Sequence, residues 1–393
     1  MMIKSFFFCN NFLGLNEQTI WQRLCMKLSP NLYEFNFDRI KSILHSVSRI
    51  NHFHFAFTNK LVKCILTQSV IDSRSLTQIL LDLKALQYLH SNVFNCLVNK
   101  HITSATKVDF FDAIMLLHLA SHVRVRDLSF INKIIDVIES NGVFEKIMFD
   151  TGLVSSVIRS LASLDISHPI FDKFVKSSAS LLYKFNPQEL SNIAFSIIMQ
   201  SNSRQMPLHE FIKTESFEIF VMLCKMCHKN LHKMVHIEIN QLRTVGWYLF
   251  PKQTKSNDDT IQLFSQELNE LKDFFNETMQ VKLDFKPNPS KLQRTVTKLI
   301  GELGLDFAEE YPLGPYLIDL VLPKHRIAIE VNGFSHFYDQ TILHTSKTRL
   351  KYSIVQRMGW KIAEINHHQW KNINRTDRLR ILQRTLKPLL AYN

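Results

Sequence analysis

From about residue 35 to residue 245 the apolar residues recur at helical spacing, with few Gly or Pro interruptions. Ile79, Leu80, Leu83 and Leu86 form one such set, and Ile114, Leu117, Ala120 and Val123 form another. Val157, Leu161 and Leu164 repeat the spacing, and Ile193 and Ile197 open the next set. Glycine occurs only 9 times in 393 residues, about a third of its ordinary ~7% usage. Such a chain folds mainly as helices packed on helices. With Leu86, Ala120, Leu164 and Ile198 as markers, the sets recur after 34, 44 and 34 residues. A degenerate period of this size predicts stacked helical hairpins, an α-solenoid, over residues 35–250.

The pattern then breaks twice. "PKQTKSNDD" (Pro251 to Asp259) has lost apolar periodicity and reads as a loop, and one helix follows it. "DFKPNPS" (Asp284 to Ser290) holds two prolines and is the strongest domain boundary, so 251–289 is assigned to linker and helix. Ser290 is a candidate N-cap for "KLQRTVTKLIGEL". Short apolar runs follow: "YLIDLVL" (Tyr316 to Leu322), "RIAIEV" (Arg326 to Val331) and "WKIAEI" (Trp360 to Ile365). "KTRLKYSIVQRMG" between the last two has helical spacing, with Gly359 as its C-cap. A basic helix closes the chain. The order α-β-β-α-β-α predicts a small α/β domain over 290–393.

Charge separates these parts. The chain carries a net +12, and residues 290–393 hold 16 Lys/Arg against 9 Asp/Glu, a net +7. A concentrated positive field points to a polyanion such as RNA. Six cysteines in no regular framework exclude a disulfide scaffold, and no apolar run reaches the ~18 residues a membrane helix needs. Residues 1–34 are acid-poor at their start and are a candidate organelle targeting segment.

Inside the apolar strands stand two carboxylates, Asp319 and Glu330. A hairpin near Pro323 would set them side by side, and such a pair suits Mg²⁺, the one cofactor the sequence suggests. "CKMCH" (Cys224 to His228) fits the C-x-x-C-H haem pattern, but in a strongly helical, apolar segment. His228, His232 and His236 would share a face of that helix, yet one helix cannot supply four ligands.

The strings "YLIDLVL", "IAIEVNGFSHF" and "TRLKYSIVQRMGWKIAEINHHQW" together resemble the RAP domain, a module of organellar RNA-binding proteins abundant in apicomplexan parasites. The resemblance implies a fold related to PD-(D/E)XK nucleases, with helical repeats in front. It also implies a role in mitochondrial or plastid RNA processing, stability or mitoribosome assembly, with ribosomal RNA and mitoribosomal proteins as partners. Asp319 and Glu330 match the two acids of the nuclease motif, and Asn332 stands where nucleases carry a lysine. Lys347 or Lys351 on the next helix is the substitute for a Mg²⁺-dependent ribonuclease. For RNA binding without cleavage, the candidates are His336, Lys347, Arg349, Lys351 and Arg357 on phosphates, and Trp360 and Trp370 under bases. The alternatives are that Lys351 or Arg349 pairs with the acids and that the tryptophans close a small core.

Overall fold

The computed structural model describes residues 18–51, 53–102, 107–140, 150–251, 266–281 and 289–391. Residues 1–17 of the candidate targeting segment, and most of the 251–259 loop and of the 284–290 boundary, lie outside them. The chain divides into two compact units, Met1–Phe144 and Glu145–Asn393.

The first unit opens with α1 (Gln18–Leu28) and continues as three helical hairpins. These are α2 (Phe37–Arg49) with α3 (Phe55–Leu66), α4 (Ser73–Ala85) with α5 (Ser91–His101), and α6 (Phe110–Val123) with α7 (Leu128–Ser140). The second unit begins with α8 (Thr151–Ser163) and α9 (Pro169–Ser178). There follow α10 (Pro187–Ser203), the short α11 (Leu208–Phe211) and α12 (Glu215–Lys229), then α13 (His236–Leu249) and α14 (Gln266–Gln280).

The repeat is written in the caps. Asn36, Asp72, Asp109, Asp150 and Asn186 each accept a hydrogen bond from the backbone N–H three residues on, and so start α2, α4, α6, α8 and α10. Each such cap contributes about 1 kcal/mol. Each hairpin then turns through a left-handed residue: Asn51, Gln87, Arg124, Asp165 and Gln205. The second helices of the first four hairpins are capped by His54, His90, Asp127 and His168. Within each unit the first helices pack on one another, α2 on α4 on α6 and α8 on α10 on α13. Within each unit, hydrogen bonds tie neighbouring hairpins: Ser48 Oγ to Asp82 (2.6 Å) and Ser73 Oγ to Asp112 (2.8 Å) in the first, and Arg204 to Asp172 (2.9 and 3.1 Å) in the second. In the last hairpin Gly246 allows α13 to touch α14, since a Cβ there would lie 2.8 Å from Phe275 Cβ.

Ser290 caps α15 (Lys291–Glu302), accepting from the Gln293 N–H at 3.1 Å. Four strands follow in the order β1-β2-β3-β4: β1 (Ala308–Leu313), β2 (Tyr316–Leu322), β3 (Ile327–Asn332) and β4 (Lys361–Asn366). The first three are antiparallel, and β4 runs parallel to β3 after the crossover helix α16 (Ser346–Arg357). Gly359, at φ +79°, ends that helix as its sequence position predicted. The turn of helix α17 (His367–Trp370) and the basic helix α18 (Arg375–Leu390) complete the fold. β1 was not anticipated: "AEEYPL" holds two glutamates and a proline, which only an edge strand tolerates. One face of the sheet packs Leu320, Leu322, Ile327, Ile329 and Ile365 against α15 and α18. Among the described residues no helix is long and apolar enough to cross a membrane.

Candidate nucleic-acid interface

The other face of the sheet is polar. β2 and β3 pair Leu320 with Ile329, and the same register sets Asp319 opposite Glu330, as the hairpin predicted. β3 and β4 pair Glu330 with Glu364 and Asn332 with Asn366. Asp319 accepts the Val331 N–H at 2.7 Å. Lys351, reaching down from α16, holds Glu330 Oε1 at 2.5 Å. Asn332 donates to the Tyr352 hydroxyl (2.6 Å) and to Asn366 Oδ1 (2.8 Å), so it ties β3, β4 and α16 together. Burial raises the Asp319 carboxyl above its ordinary value. It pushes Glu330 up to about 7, with Lys351 opposing and the Asp319 charge adding to the rise.

The sequence thus brought the right three groups together, but as an ion pair under a lid. Glu330 is 2% exposed. The Lys351 ammonium lies 5.5 Å from the centre of the Tyr316 ring, and the Tyr316 hydroxyl bonds Thr244 on α13. A divalent ion needs free carboxylate oxygens. Here an ammonium holds one acid, a backbone N–H holds the other, and no cluster of three ligating groups occurs among the described residues. The ion pair and the backbone bond leave one oxygen of each carboxylate for a further ligand.

The remaining cations of α16 also meet protein. Arg349 binds Asp165 (2.5 Å) and Ser203 Oγ (3.1 Å), on the ends of α8 and α10. Arg357 donates to the Tyr248 carbonyl at 2.6 Å and lies over that ring at 4.6 Å. Lys347 alone of the four is exposed. The two tryptophans close the core and offer no ring face to a base. Trp360 is buried between Tyr311 and Arg326, and Trp370 joins the core beneath Arg378. His336 is half-buried, and its carbonyl accepts from Thr345 N–H (2.9 Å) and Thr348 Oγ1 (3.2 Å). The "CKMCH" cysteines are buried in α12, and burial pushes both thiols up. α12 ends at Lys229, so His232 and His236 leave the face of His228, which pairs with Glu277 at 2.7 Å.

Two exposed groups were not singled out in the sequence. At the carboxyl ends of β3 and β4, Phe334 is 73% exposed, with its ring centre 3.6 Å from that of His367. Burial holds His367 below the ordinary histidine value. His368 and Lys371 are exposed alongside. The second group is on α18, where Arg375, Arg380, Arg384 and Lys387 face solvent, opposed among the described residues by Glu302 (2.5 Å to Arg375) and Asp377 (3.2 Å to Arg380). An aromatic after the strand-ending Asn332-Gly333 was the signal for the first.

Residues 329–385 match the model of the RAP domain family. A RAP domain-containing protein, chloroplastic, of Oryza sativa subsp. japonica is 29% identical over 98 residues. The match covers 25% of this chain and 15% of that relative's length. Sheet, polar layer and crossover helix all lie within or beside the matched residues, and the C-terminal part of this chain carries a RAP domain.

Proposed function

We propose that this chain binds single-stranded RNA in an organelle, through the exposed groups at the carboxyl ends of β3 and β4 and along α18. The observation that carries this reading is Phe334, a large ring left 73% exposed and seated on the His367 ring. Carboxyl ends of parallel strands are where α/β folds gather ligands. A base stacked on such a ring gains about 1–3 kcal/mol, and the cations of α18 match the phosphates that follow. The organelle rests on the relative named chloroplastic and on the family's role; within that, the reading is mitochondrial, on ribosomal RNA or a mitoribosome.

The test is binding of fluorescent single-stranded RNA across a salt series. The reading expects affinity to fall steeply with salt and Phe334→Ala to weaken it about tenfold at every salt concentration. Flat salt dependence would sink the electrostatic half, and an unaffected Phe334→Ala the stacking half. Fractionation of the native protein decides the rest: sedimentation with mitoribosomal particles supports the finer reading, and recovery in plastids overturns it.

A further inference from the structure

The first turn of α16 is fastened to α8 by one hydroxyl. Tyr338 donates to the Ser163 carbonyl at 2.8 Å and bonds Ser346, both at Oγ (3.0 Å) and at its N–H (3.2 Å). Lys347 follows Ser346, and Arg159 lies one helical turn before Ser163. Two cations thereby stand on elements that this hydroxyl ties together, near enough for the Arg159 charge to act on Lys347. Neither has a carboxylate or hydrogen-bond partner among the described residues. Asp165, at the end of α8, is bound to Arg349 at 2.5 Å.

Like charges forced together without a counter-ion cost stability. Both groups respond to this: burial lowers the Arg159 guanidinium, and the surrounding protein and then the Arg159 charge lower the Lys347 ammonium, although Lys347 keeps its contact with solvent. An anion between them would remove that cost. Lys347 also stands in the first turn of a helix, where the backbone dipole favours negative charge.

The geometry points to a phosphate-binding notch, formed by Arg159 of the helical array and Lys347 of the RAP domain, that takes one backbone phosphate of the bound RNA. It rests on the RNA-binding reading above. RNA fits better than an isolated anion because the notch is joined to the stacking site. The His336 carbonyl, at the end of the turn that begins at Phe334, accepts from Thr345 N–H and Thr348 Oγ1, which flank Lys347. The turn that carries Phe334 and the helix turn that carries Lys347 are thus hydrogen-bonded neighbours.

The experiment measures single-stranded RNA binding by the full chain, wild type against Arg159→Gln, Lys347→Gln and the double variant, over a salt series. Each single variant is expected to bind about fivefold more weakly, with the slope of log K against log salt reduced by about 0.7, the loss of one phosphate contact. The double variant is expected to lose little more slope, because both cations serve one phosphate. If the wild type binds and the variants match it in affinity and slope, the notch is overturned and the RNA reading stands. If the wild type binds no RNA, both fall. Thermal melting gives the second measurement. In phosphate-free buffer Arg159→Gln is expected to melt at or above the wild type, and added inorganic phosphate to raise the wild type only. A lower melting temperature for Arg159→Gln would mark a structural arginine and overturn the notch.

Discussion

Helices α16 and α18 of the RAP domain have the same look in sequence and opposite surroundings in the fold. α16 carries Lys347, Arg349, Lys351 and Arg357; α18 carries Arg375, Arg380, Arg384 and Lys387. On α16, Lys351 goes down into the sheet and Arg349 and Arg357 go out to α8, α10 and α13. On α18, only Leu382 and Leu386 are buried and the cations face water. Charge density marks both helices as basic. The packing of α16 against the helical hairpins decides which cations hold the protein together and which meet a phosphate.

The sharpest break of this contrast is at Lys351. Lys351→Ala leaves Glu330 buried without its ammonium, a loss of about 3–5 kcal/mol. Urea denaturation reads this directly. A loss under about 1 kcal/mol would place Lys351 with the solvent-facing cations of α18.

The same pair sets a pH dependence. Glu330 titrates at about 7 in the fold against 4.5 ordinarily, so the folded state binds its proton more tightly. A raised value contributes stability that is complete below pH 4.5 and lost as pH rises through 7. The loss is about 3 kcal/mol over that window. Glu330→Gln, neutral at every pH, is expected to flatten it. An unchanged slope in that variant would assign the dependence elsewhere, Asp319 first, because burial raises it in the same direction.

How far the sequence discloses this contrast follows from what pattern can encode. β2, β3 and β4 are legible because an apolar run between turn residues has few other uses, and Ser290 and Gly359 mark their helix ends by backbone chemistry. The repeat is legible as hairpins, but apolar markers give its period poorly, since any core residue can slide by one helical turn. The caps keep stricter time: Asn36, Asp72, Asp109, Asp150 and Asn186 each occupy a backbone position that a slip would abolish. The partners of α16 are not legible. Arg349 meets Asp165 and Ser203 across more than a hundred residues, and nothing local to either names the other. The tryptophans fail for a related reason: an amphipathic ring suits a core and a base equally until its neighbours are known.

On α18 the expected effect is smaller and falls on binding alone. Arg384→Gln with Lys387→Gln is expected to weaken RNA binding about tenfold and to reduce the salt slope by about 1.4, two single-strand contacts. Stability should stay within about 0.5 kcal/mol, as for surface changes that touch no partner. A double variant that unfolds easily yet binds normally would reverse the roles of the two helices.

The smallest expected effect concerns Mg²⁺. Asp319, Glu330 and a lysine are grouped as a metal-dependent nuclease would group them, but the Lys351 ammonium already neutralises Glu330 through its Oε1. Millimolar Mg²⁺ is therefore expected to change neither the melting temperature nor the integrity of labelled RNA incubated with the chain. Lys351→Ala turns the same observation into a sharper one. It leaves the buried Glu330 carboxylate facing the half-buried Asp319, whose repulsion a divalent ion would relieve, so Mg²⁺ is expected to restore part of that variant's lost stability. Cleavage by the wild type that disappears in Glu330→Gln would show that Lys351 is a partner in chemistry and not a plug. Restoration by Mg²⁺ in Lys351→Ala alone would show that an ammonium has taken a metal's place.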